Sequence, residues 1–537
     1  MDADEPPQIA ALFLVVFDQK VGYTIAWKRS LPGLDLDGVE YKSLPSGLHA
    51  VPNDLVYFIH DAHAGVSAFV KGDADASARN ASFVAVGALV PLSNGRMGRA
   101  WLHAQDLRRL GEQVVTNFSD TAELEKFWEK HGLDKLETGR RESIQNGSKR
   151  KRAYSDATLA VRAGSTISHD HPALAMSKLL DLFGPLMFPL YRAALLRRRI
   201  LLLGSIPVQN NCDFVYILSV LSSIPHALDE RLPADTELRI QPLFSVGIHD
   251  IPALSAQKDK SGWVACTTDD ILGEKHELYD FCVEMPKSGV QSGAQRQWPK
   301  IRSADGKVIK ATQRDLRRYR QLRRELGRLR HSRERYRDEA AAAMDDDSDE
   351  APLISGNIAA KTGGASDRHR DGEGDSGVVE PLSWKAMAYN GFMWWASAGE
   401  QMEWEQGEEF ADYELLSSLP DIADMMAPSP TWPGAMSCSD SLLEAQGTAT
   451  ILTAYFHRFT TLIVRTLADI VEHADDATEQ GVYEEAIAVT AEDVRQMGLQ
   501  TWNEGDKQFV VDAMQLYFGR ESLVGESGVR ICGARVC

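Results

Sequence analysis

The sequence predicts a mixed fold of the α+β and α/β classes, organised as three modules. Three observations predict it. Short apolar runs of strand length dominate the N-terminal part, helical and strand-like runs alternate in the middle, and long amphipathic helices fill the C-terminal part. A chain of 537 residues is long enough for several domains of ordinary size. We therefore expect an α+β module, a central α/β module and a helical C-terminal module, with a disordered insertion between the last two.

The first module spans residues 8–133 and is predicted to contain a sheet followed by helices. Five apolar runs have the length of strands: residues 9–18, 23–28, 55–60, 65–71 and 82–92. A short loop that contains Gly22 separates the first two runs, which is typical of a hairpin. Helical patterns follow at residues 97–115 and 121–130.

A polar linker at residues 134–170 leads to the central module, which spans residues 171–290. The basic run KRKR at residues 149–152 of the linker is interpreted as a solvated cluster, with a nuclear import signal as the alternative. The apolar stretch at residues 173–190 contains Lys178, Asp181 and two prolines. It is therefore predicted to form a pair of core helices, and we expect no integral membrane segment.

The segment LLRRRILLLG, at residues 195–204, places three arginines between an apolar helix and a short aliphatic strand. A positively charged site is one interpretation. We favour the other, in which the arginines bind carbonyl and carboxylate groups where the helix meets the strand. The segment WVACTTDDIL, at residues 263–272, repeats this plan with an apolar strand and a Thr-Thr-Asp-Asp helix start.

A very basic helix is predicted at residues 307–340, since eleven arginines occupy residues 314–337. A thin apolar seam follows one side of it: Tyr319, Leu322, Leu326 and Leu329. Two interpretations stay open: binding to anionic lipid headgroups, or a solvated arm balanced by the acidic run after it. In the first interpretation four arginines face lipid: Arg317, Arg320, Arg324 and Arg328.

The rest of the chain is predicted to alternate between disorder and helix. Residues 341–380 are acidic and rich in Gly and Ser, and this composition buries too little apolar surface to fold. A Trp-rich helical insertion follows at residues 381–425, with an aromatic face that suits core packing or a partner groove. The helical downstream module spans residues 440–525, and its TAED sequence at residues 490–493 resembles a capping box with Asp in place of Glu or Gln.

Charge and motif content disfavour several classes of function. The chain has 77 acidic and 58 basic residues and a formal net charge of −19, which argues against a nucleic-acid partner. It contains no phosphate-loop, dinucleotide-binding, serine-hydrolase or zinc-protease motif. The His/Asp groups at residues 60–63 and 169–171 are interpreted as a strand end and a helix N-terminus. We therefore expect no catalytic residue, no metal and no cofactor.

The N-terminus has no basic, apolar leader, and the six cysteines form no CxxC pair. These features predict a cytoplasmic protein with reduced thiols.

Four segments carry a resemblance to a known family. They are LDLDGVEYKSLPSGLHAVPNDLVYF at residues 34–58, MFPLYRAALLRRRILLLGS at 187–205, WVACTTDDILGEKHELYDFCVEMP at 263–286 and TAEDVRQMGLQTWNEGDKQFVVDAM at 490–514. In this combination the chain resembles the DENN-domain family, and within it the LCHN-like branch. The resemblance implies that the first module is a longin module and that the other two are the family's central and downstream modules. The linker and the 338–440 insertion depart from the family plan.

The resemblance implies guanine-nucleotide exchange on a Rab-type small GTPase in membrane traffic, an activity that needs no chemical active site. It also implies a partner surface in the groove between the first two modules. On the loop at residues 38–43 we expect exposed partner contacts at Glu40, Tyr41, Lys42 and Ser43. A second group of contacts is expected at Thr267, Asp269 and Asp270. The structural alternative is a turn and a helix cap, and we favour the cap for Thr268.

Two further functions stay open as alternatives. One is a non-exchanging adaptor that holds a Rab or a vesicle, and the other is a peripheral lipid-binding protein on an anionic membrane surface. In either case we expect the protein in the cytoplasm or peripherally on vesicles and endomembranes.

Overall fold

The structure is a computed structural model of the chain. It describes residues 5–18, 20, 22–72, 83–118, 120–133, 167–256, 261–286, 297–344, 378–380, 408, 410, 412–416, 439–479, 486–501, 503–525, 529–531 and 534–536. Several predictions lie outside these residues: residues 134–166 of the linker with its KRKR run, residues 345–377, and the tryptophans of the insertion.

Eleven strands form one sheet: β1 Ala11–Asp18, β2 Gly22–Ser30, β3 Asn53–His60, β4 His63–Lys71, β5 Phe83–Pro91, β6 Ile200–Leu203, β7 Gln241–Ser245, β8 Trp263–Thr267, β9 Phe281–Glu284, β10 Lys300–Ser303 and β11 Val308–Ile309. Their order is β11-β10-β9-β6-β8-β7-β3-β4-β5-β1-β2. The half from β3 to β2 is antiparallel, and β9, β6, β8 and β7 are parallel. An antiparallel bridge between Phe58 and Phe244 joins the halves. The first two predicted modules therefore share one sheet.

Within the described residues, twelve α-helices have the following bounds: α1 Val39–Ser43, α2 Ala104–Val114, α3 Ala122–His131, α4 Met176–Phe183, α5 Met187–Leu195, α6 Val208–Leu221, α7 Ile251–Ala256, α8 Asp270–Gly273, α9 Gln313–Met344, α10 Ser439–Glu479, α11 Ala491–Gln496 and α12 Glu504–Phe518. Four short strands lie outside the large sheet: β12 Ile487–Val489, β13 Ser522–Val524, β14 Val529–Ile531 and β15 Ala534–Val536. The capping box before α11 is confirmed, because Thr490 and Asp493 bind each other's backbone N–H groups.

The main core lies between the sheet and the helices that cover it. Helix α2 packs on β4 and β5, α6 packs on β3, β7 and β8, and α10 packs on α4 and α6. Because the strands of the first half are covered, β4 and β5 are buried along nearly their whole length. A smaller apolar cluster around Trp263 and Leu272 involves the turns after β7 and β8.

The apolar stretch Pro172–Leu195 is the one described segment long and apolar enough to cross a membrane, and 72% of its most apolar window is buried inside the protein. A 3-10 turn at Gly184–Leu186 divides it into α4 and α5. The stretch therefore packs as the predicted pair of core helices.

The three arginines after α5 bind carbonyl and carboxylate groups, as predicted. Arg197 donates to the carbonyl oxygens of Ala194, Ser222 and Glu237 at 3.0–3.2 Å. Arg199 pairs with the Asp280 carboxylate at 2.6 Å. Arg198 pairs with Asp512 of α12 and so connects the central module to the downstream module.

Charged groups also join the first module to the central one. The buried Asp54 carboxylate, at the start of β3, accepts the backbone N–H groups of Val208 at 2.6 Å and Gln209 at 3.2 Å. These are among the N–H groups that a helix N-terminus leaves without an intrahelical partner. Asp54 therefore caps α6 from the neighbouring module. Arg108 of α2 adds an ion pair with Asp170 at 2.6 Å.

Three predicted boundaries need correction. The central sheet continues past residue 290, because β10 and β11 add an antiparallel edge to β9. The basic helix consequently begins at Gln313, after this edge, and ends at Met344. The end of the segment predicted to be disordered is paired: the N–H of Glu380 donates to the carbonyl of Ala311 at 2.8 Å.

Two buried histidines predict an acid-sensitive fold. His103 Nε2 lies 2.7 Å from the Pro7 carbonyl oxygen, and burial lowers the pKa of His103 from its ordinary 6.5 to about 4. His171 accepts the Ala173 N–H through Nδ1 at the start of the Pro172–Ala175 turn, as predicted for a helix N-terminus, and burial lowers its pKa to about 3. Below pH 6.5 the unfolded chain binds protons that the folded chain does not.

We therefore expect the free energy of unfolding to fall as the pH is lowered from about 6.5 towards 4, by about 1.4 kcal/mol per pH unit for each histidine. Urea unfolding across this range should show a shallower pH slope for His103→Gln than for the wild type. The exposed Val308 provides the control variant Val308→Thr, which changes no titratable group and should keep the wild-type slope. An unchanged slope in His103→Gln would contradict the prediction.

Candidate partner-binding site

The residues expected at 38–43 lie on a short helix, not on a loop. Gly38 adopts a left-handed conformation with φ of 90°, and α1 begins at the next residue. Lys42 holds this helix in place, because its Nζ lies 3.0 Å from the Asp250 carboxylate and donates to the Ile59 carbonyl at 2.8 Å. The prediction that Ser43 is an exposed contact is wrong, since Ser43 is fully buried beneath the helix.

The second predicted group lies on the turn between β8 and α8. Thr267 is buried, and its hydroxyl accepts the Asp269 N–H at 3.1 Å, so Thr267 supports the turn and is not a surface contact. The predicted cap at Thr268 is also wrong: Asp269 occupies the N-cap position of α8. The Thr268 hydroxyl instead donates to the Ser46 carbonyl at 2.8 Å, which ties this turn to the first module.

The structure brings the two predicted groups together through a third segment, the turn at residues 247–250. Strands β7 and β8 are parallel neighbours, so the turns that follow them leave the sheet at the same edge. The turn after β7 carries His249, whose ring stacks on Tyr41 of α1 with centroids 3.9 Å apart. A Cβ atom on Gly247 would lie 3.5 Å from the Asp269 carboxylate, so the two turns adjoin.

The three segments expose apolar side chains at this edge. The exposed fractions are 41% for Tyr41, 45% for Ile248 and 51% for Ile271. We call the resulting patch the junction surface, and its members are Glu40, Tyr41, Ile248, His249, Asp269, Asp270 and Ile271. Exposed apolar side chains with polar neighbours make this surface a candidate for contact with another protein.

The junction surface contains the predicted residues Glu40, Tyr41, Asp269 and Asp270. Sequence reasoning missed Ile248, His249 and Ile271. One signal existed for Ile271, since it directly follows two acidic residues at a predicted helix start.

The side chains of the junction surface suit contact with another protein. Its groups are carboxylates, aromatic rings and aliphatic side chains. Within the described ranges, no group of three or more His, Cys, Asp or Glu side chains is arranged to hold a metal ion.

The basic helix α9 divides its arginines between the core and the surface. Arg320, Arg324 and Arg328 are exposed, and Arg317 is partly exposed and pairs with Glu408. Arg314 and Arg318 are buried against Asp412. The interpretation as a solvated arm is therefore wrong for the first turns of the helix, whereas the apolar seam from Tyr319 is confirmed.

The chain is a multi-module scaffold. An antiparallel half-sheet continues into a parallel one, long helices close the fold, and an apolar patch lies where the first two modules meet. A family model for DENN domain-containing protein 11 matches residues 12–295. The chain belongs to this family of DENN-domain proteins. The predicted resemblance and the mixed fold class are thereby confirmed. A second model, Domain of unknown function (DUF4484), matches residues 379–537.

Relatives cover different parts of the chain. "Uncharacterized protein ANR2" of Saccharomyces cerevisiae is 24% identical over 99% of this chain and 95% of its own length. "DENN domain-containing protein 11" of Danio rerio is 32% identical over 52% of this chain, and that of Mus musculus is 30% identical over 56%. The match spans 54% and 63% of these two vertebrate relatives. Membership of the DENN-domain family supports a role in membrane traffic.

Proposed function

We propose that the protein is a guanine-nucleotide exchange factor for a Rab-type small GTPase. The observation that carries the proposal is the junction surface, which lies where the first and central modules meet, inside the region that the family model matches. In this proposal the protein acts from the cytoplasm and reaches vesicles or endomembranes as a peripheral protein.

Exchange of this kind requires binding energy and no covalent step. A protein that binds the nucleotide-free GTPase more tightly than the GDP-bound GTPase shifts the population towards the empty state. The coupling is reciprocal, so the factor by which the protein prefers the empty GTPase equals the factor by which it weakens nucleotide binding. An exposed apolar patch can supply such energy if the GTPase presents a complementary apolar surface only when it is empty.

The negative charge of the junction surface predicts the sign of the charge on the partner's surface. Glu40, Asp269 and Asp270 contribute three carboxylates around the apolar side chains, whereas Lys42 is held by Asp250. A GTPase surface with an apolar centre and a basic rim would be complementary. Such complementarity mainly raises the association rate, which is therefore expected to fall with added salt.

The test is release of fluorescently labelled GDP from a complete panel of purified Rab GTPases, with the full chain as catalyst. We expect acceleration for at least one member in the presence of excess unlabelled nucleotide. A folded chain that accelerates none of them would overturn the proposal. Stable binding to one Rab with equal affinity for its GDP, GTP and empty forms would instead support the adaptor function.

A further inference from the structure

The described part of α9 carries exposed arginines along one face, opposite its apolar seam. An α-helix has 3.6 residues per turn, so positions i, i+3, i+7 and i+11 share a face. Four arginines have this spacing and form what we call the arginine stripe: Arg317, Arg320, Arg324 and Arg328. On the other side of the helix, Tyr319 and Leu322 are buried in the main core.

The stripe is fixed to the body of the protein at its N-terminal end. Arg314 and Arg318 donate to the Asp412 carboxylate, and both guanidinium groups are buried. Asp315 pairs with Arg192 of α5 at 2.8 Å. These contacts hold the first two turns of α9 rigidly, so the stripe has a defined orientation relative to the sheet.

An exposed aromatic pair belongs to the segment that meets the first arginine of the stripe. Phe410 and Tyr413 are 69% and 61% exposed, and they belong to the described helical residues between 408 and 416. This segment contacts α9 at the stripe itself, because Glu408 pairs with Arg317. The exposed aromatic rings and the first arginine of the stripe therefore belong to adjoining segments.

We propose that the arginine stripe, together with Phe410 and Tyr413, is a docking surface for an anionic lipid bilayer. A bilayer surface matches both kinds of side chain. Its headgroups carry negative charge over a plane, and its interfacial zone accepts aromatic rings. The positive charge of the stripe is local, since the whole chain has a net charge of −19. In other orientations the protein would be repelled from an anionic surface. The stripe therefore selects one orientation on the membrane.

This inference goes beyond nucleotide exchange and does not depend on it. The stripe lies on α9, whereas the junction surface lies on α1 and on the turns after β7 and β8. A loss of membrane binding should leave exchange on a soluble GTPase unchanged, so the two proposals can fail separately.

The experiment is co-sedimentation of the full chain with vesicles of phosphatidylcholine alone and of phosphatidylcholine mixed with phosphatidylserine. The stripe variant is Arg320→Gln/Arg324→Gln/Arg328→Gln, because Gln removes the charge and favours helix nearly as well as Arg. The control variant is Arg109→Gln/Lys126→Gln/Lys130→Gln, which removes three exposed charges from α2 and α3. The unfolding midpoints of both variants verify that they are folded.

We expect the wild type and the control to bind the phosphatidylserine vesicles, with binding that weakens as salt is added. The stripe variant should bind roughly 100-fold more weakly, as expected for the loss of three basic residues at a membrane surface. Phe410→Ala/Tyr413→Ala should weaken binding and keep its salt dependence.

Three results would overturn the inference: equal binding to phosphatidylcholine vesicles, equal binding of the stripe and control variants, or no wild-type binding. One more result would also overturn it. If soluble poly-glutamate displaced the protein from the vesicles as effectively as excess phosphatidylserine vesicles do, the stripe would be assigned to an acidic protein partner.

Discussion

Replacement of Arg192 by Met is expected to lower the free energy of unfolding by about 3–5 kcal/mol. The Arg192 guanidinium donates two hydrogen bonds to the Asp315 carboxylate, at 2.9 and 2.8 Å, and its Nε lies 3.7 Å from the Asp506 carboxylate. All three side chains are buried. Met keeps much of the volume of Arg, so the variant isolates the loss of the positive charge.

The pKa shifts show what this charge balances. Burial alone would raise the pKa of Asp315, but the attraction of Arg192 and its hydrogen bonds overcome burial and hold that pKa below its usual value. Burial raises the pKa of Asp506, against the pull of Arg192. Without Arg192, the Asp315 and Asp506 carboxylates would stay buried and lose its positive charge. A buried charge without a partner costs more free energy than a well-formed buried pair contributes.

Urea unfolding at neutral pH measures this effect. The control is Arg231→Met, which breaks an exposed ion pair with Asp469 and should change stability by at most about 1 kcal/mol. Arg192→Met/Asp315→Asn should recover part of the loss, because it removes one of the two stranded charges. Equal losses in Arg192→Met and Arg231→Met would show that the buried pair has no special role.

The same charge network shows where sequence reasoning ends. Arg192, Asp315 and Asp506 come from α5, α9 and α12, so the network joins the central module, the basic helix and the downstream module. The composition of an arginine-rich helix suggests that it is exposed to solvent, because composition contains no information about partners from distant parts of the chain. The partner that permits burial of Arg314 and Arg318 is Asp412, which lies 98 and 94 residues further along the chain. No local pattern identifies such a partner.

Elements with local causes were predicted well. The β1–β2 hairpin, the pair of helices in the apolar stretch and the capping box at Thr490 each depend on residues within a few positions of one another. The bridge between Phe58 and Phe244 depends on the packing of two modules and was not predicted.

The candidate site also has features that could be predicted from the sequence and features that could not. Sequence reasoning named the segments around Gly38 and Asp269, and their role in partner binding stays a prediction. It could not determine which side chains face outward. Ser43 and Thr267 are buried, whereas Ile271 of the second segment and Ile248 of the turn after β7 are exposed.

Replacement of the two exposed isoleucines is the sharpest test of the junction surface. We expect Ile248→Ala and Ile271→Ala each to slow nucleotide release from the responsive GTPase by about 10- to 30-fold, the size of a hot-spot truncation. The double variant Ile248→Asp/Ile271→Asp should reduce release to the uncatalysed rate, since each Asp would place a carboxylate in an apolar contact. Because both side chains are exposed, the unfolding free energy of the alanine variants should change by less than about 0.5 kcal/mol.

Val308→Asp is the matched control, because Val308 is 49% exposed and lies on β11, the edge strand at the far end of the sheet. It should leave exchange unchanged. Full activity in a folded Ile248→Asp/Ile271→Asp variant would exclude the junction surface as the GTPase contact. Equal loss in the control would show that any new surface charge suffices.

The readout that distinguishes exchange from simple adhesion is the affinity for the two states of the GTPase. The isoleucine variants should lose more affinity for the empty GTPase than for the GDP-bound form, because only differential binding displaces nucleotide. Equal losses for both forms would mean that the surface holds the GTPase without driving release, which is the behaviour of an adaptor.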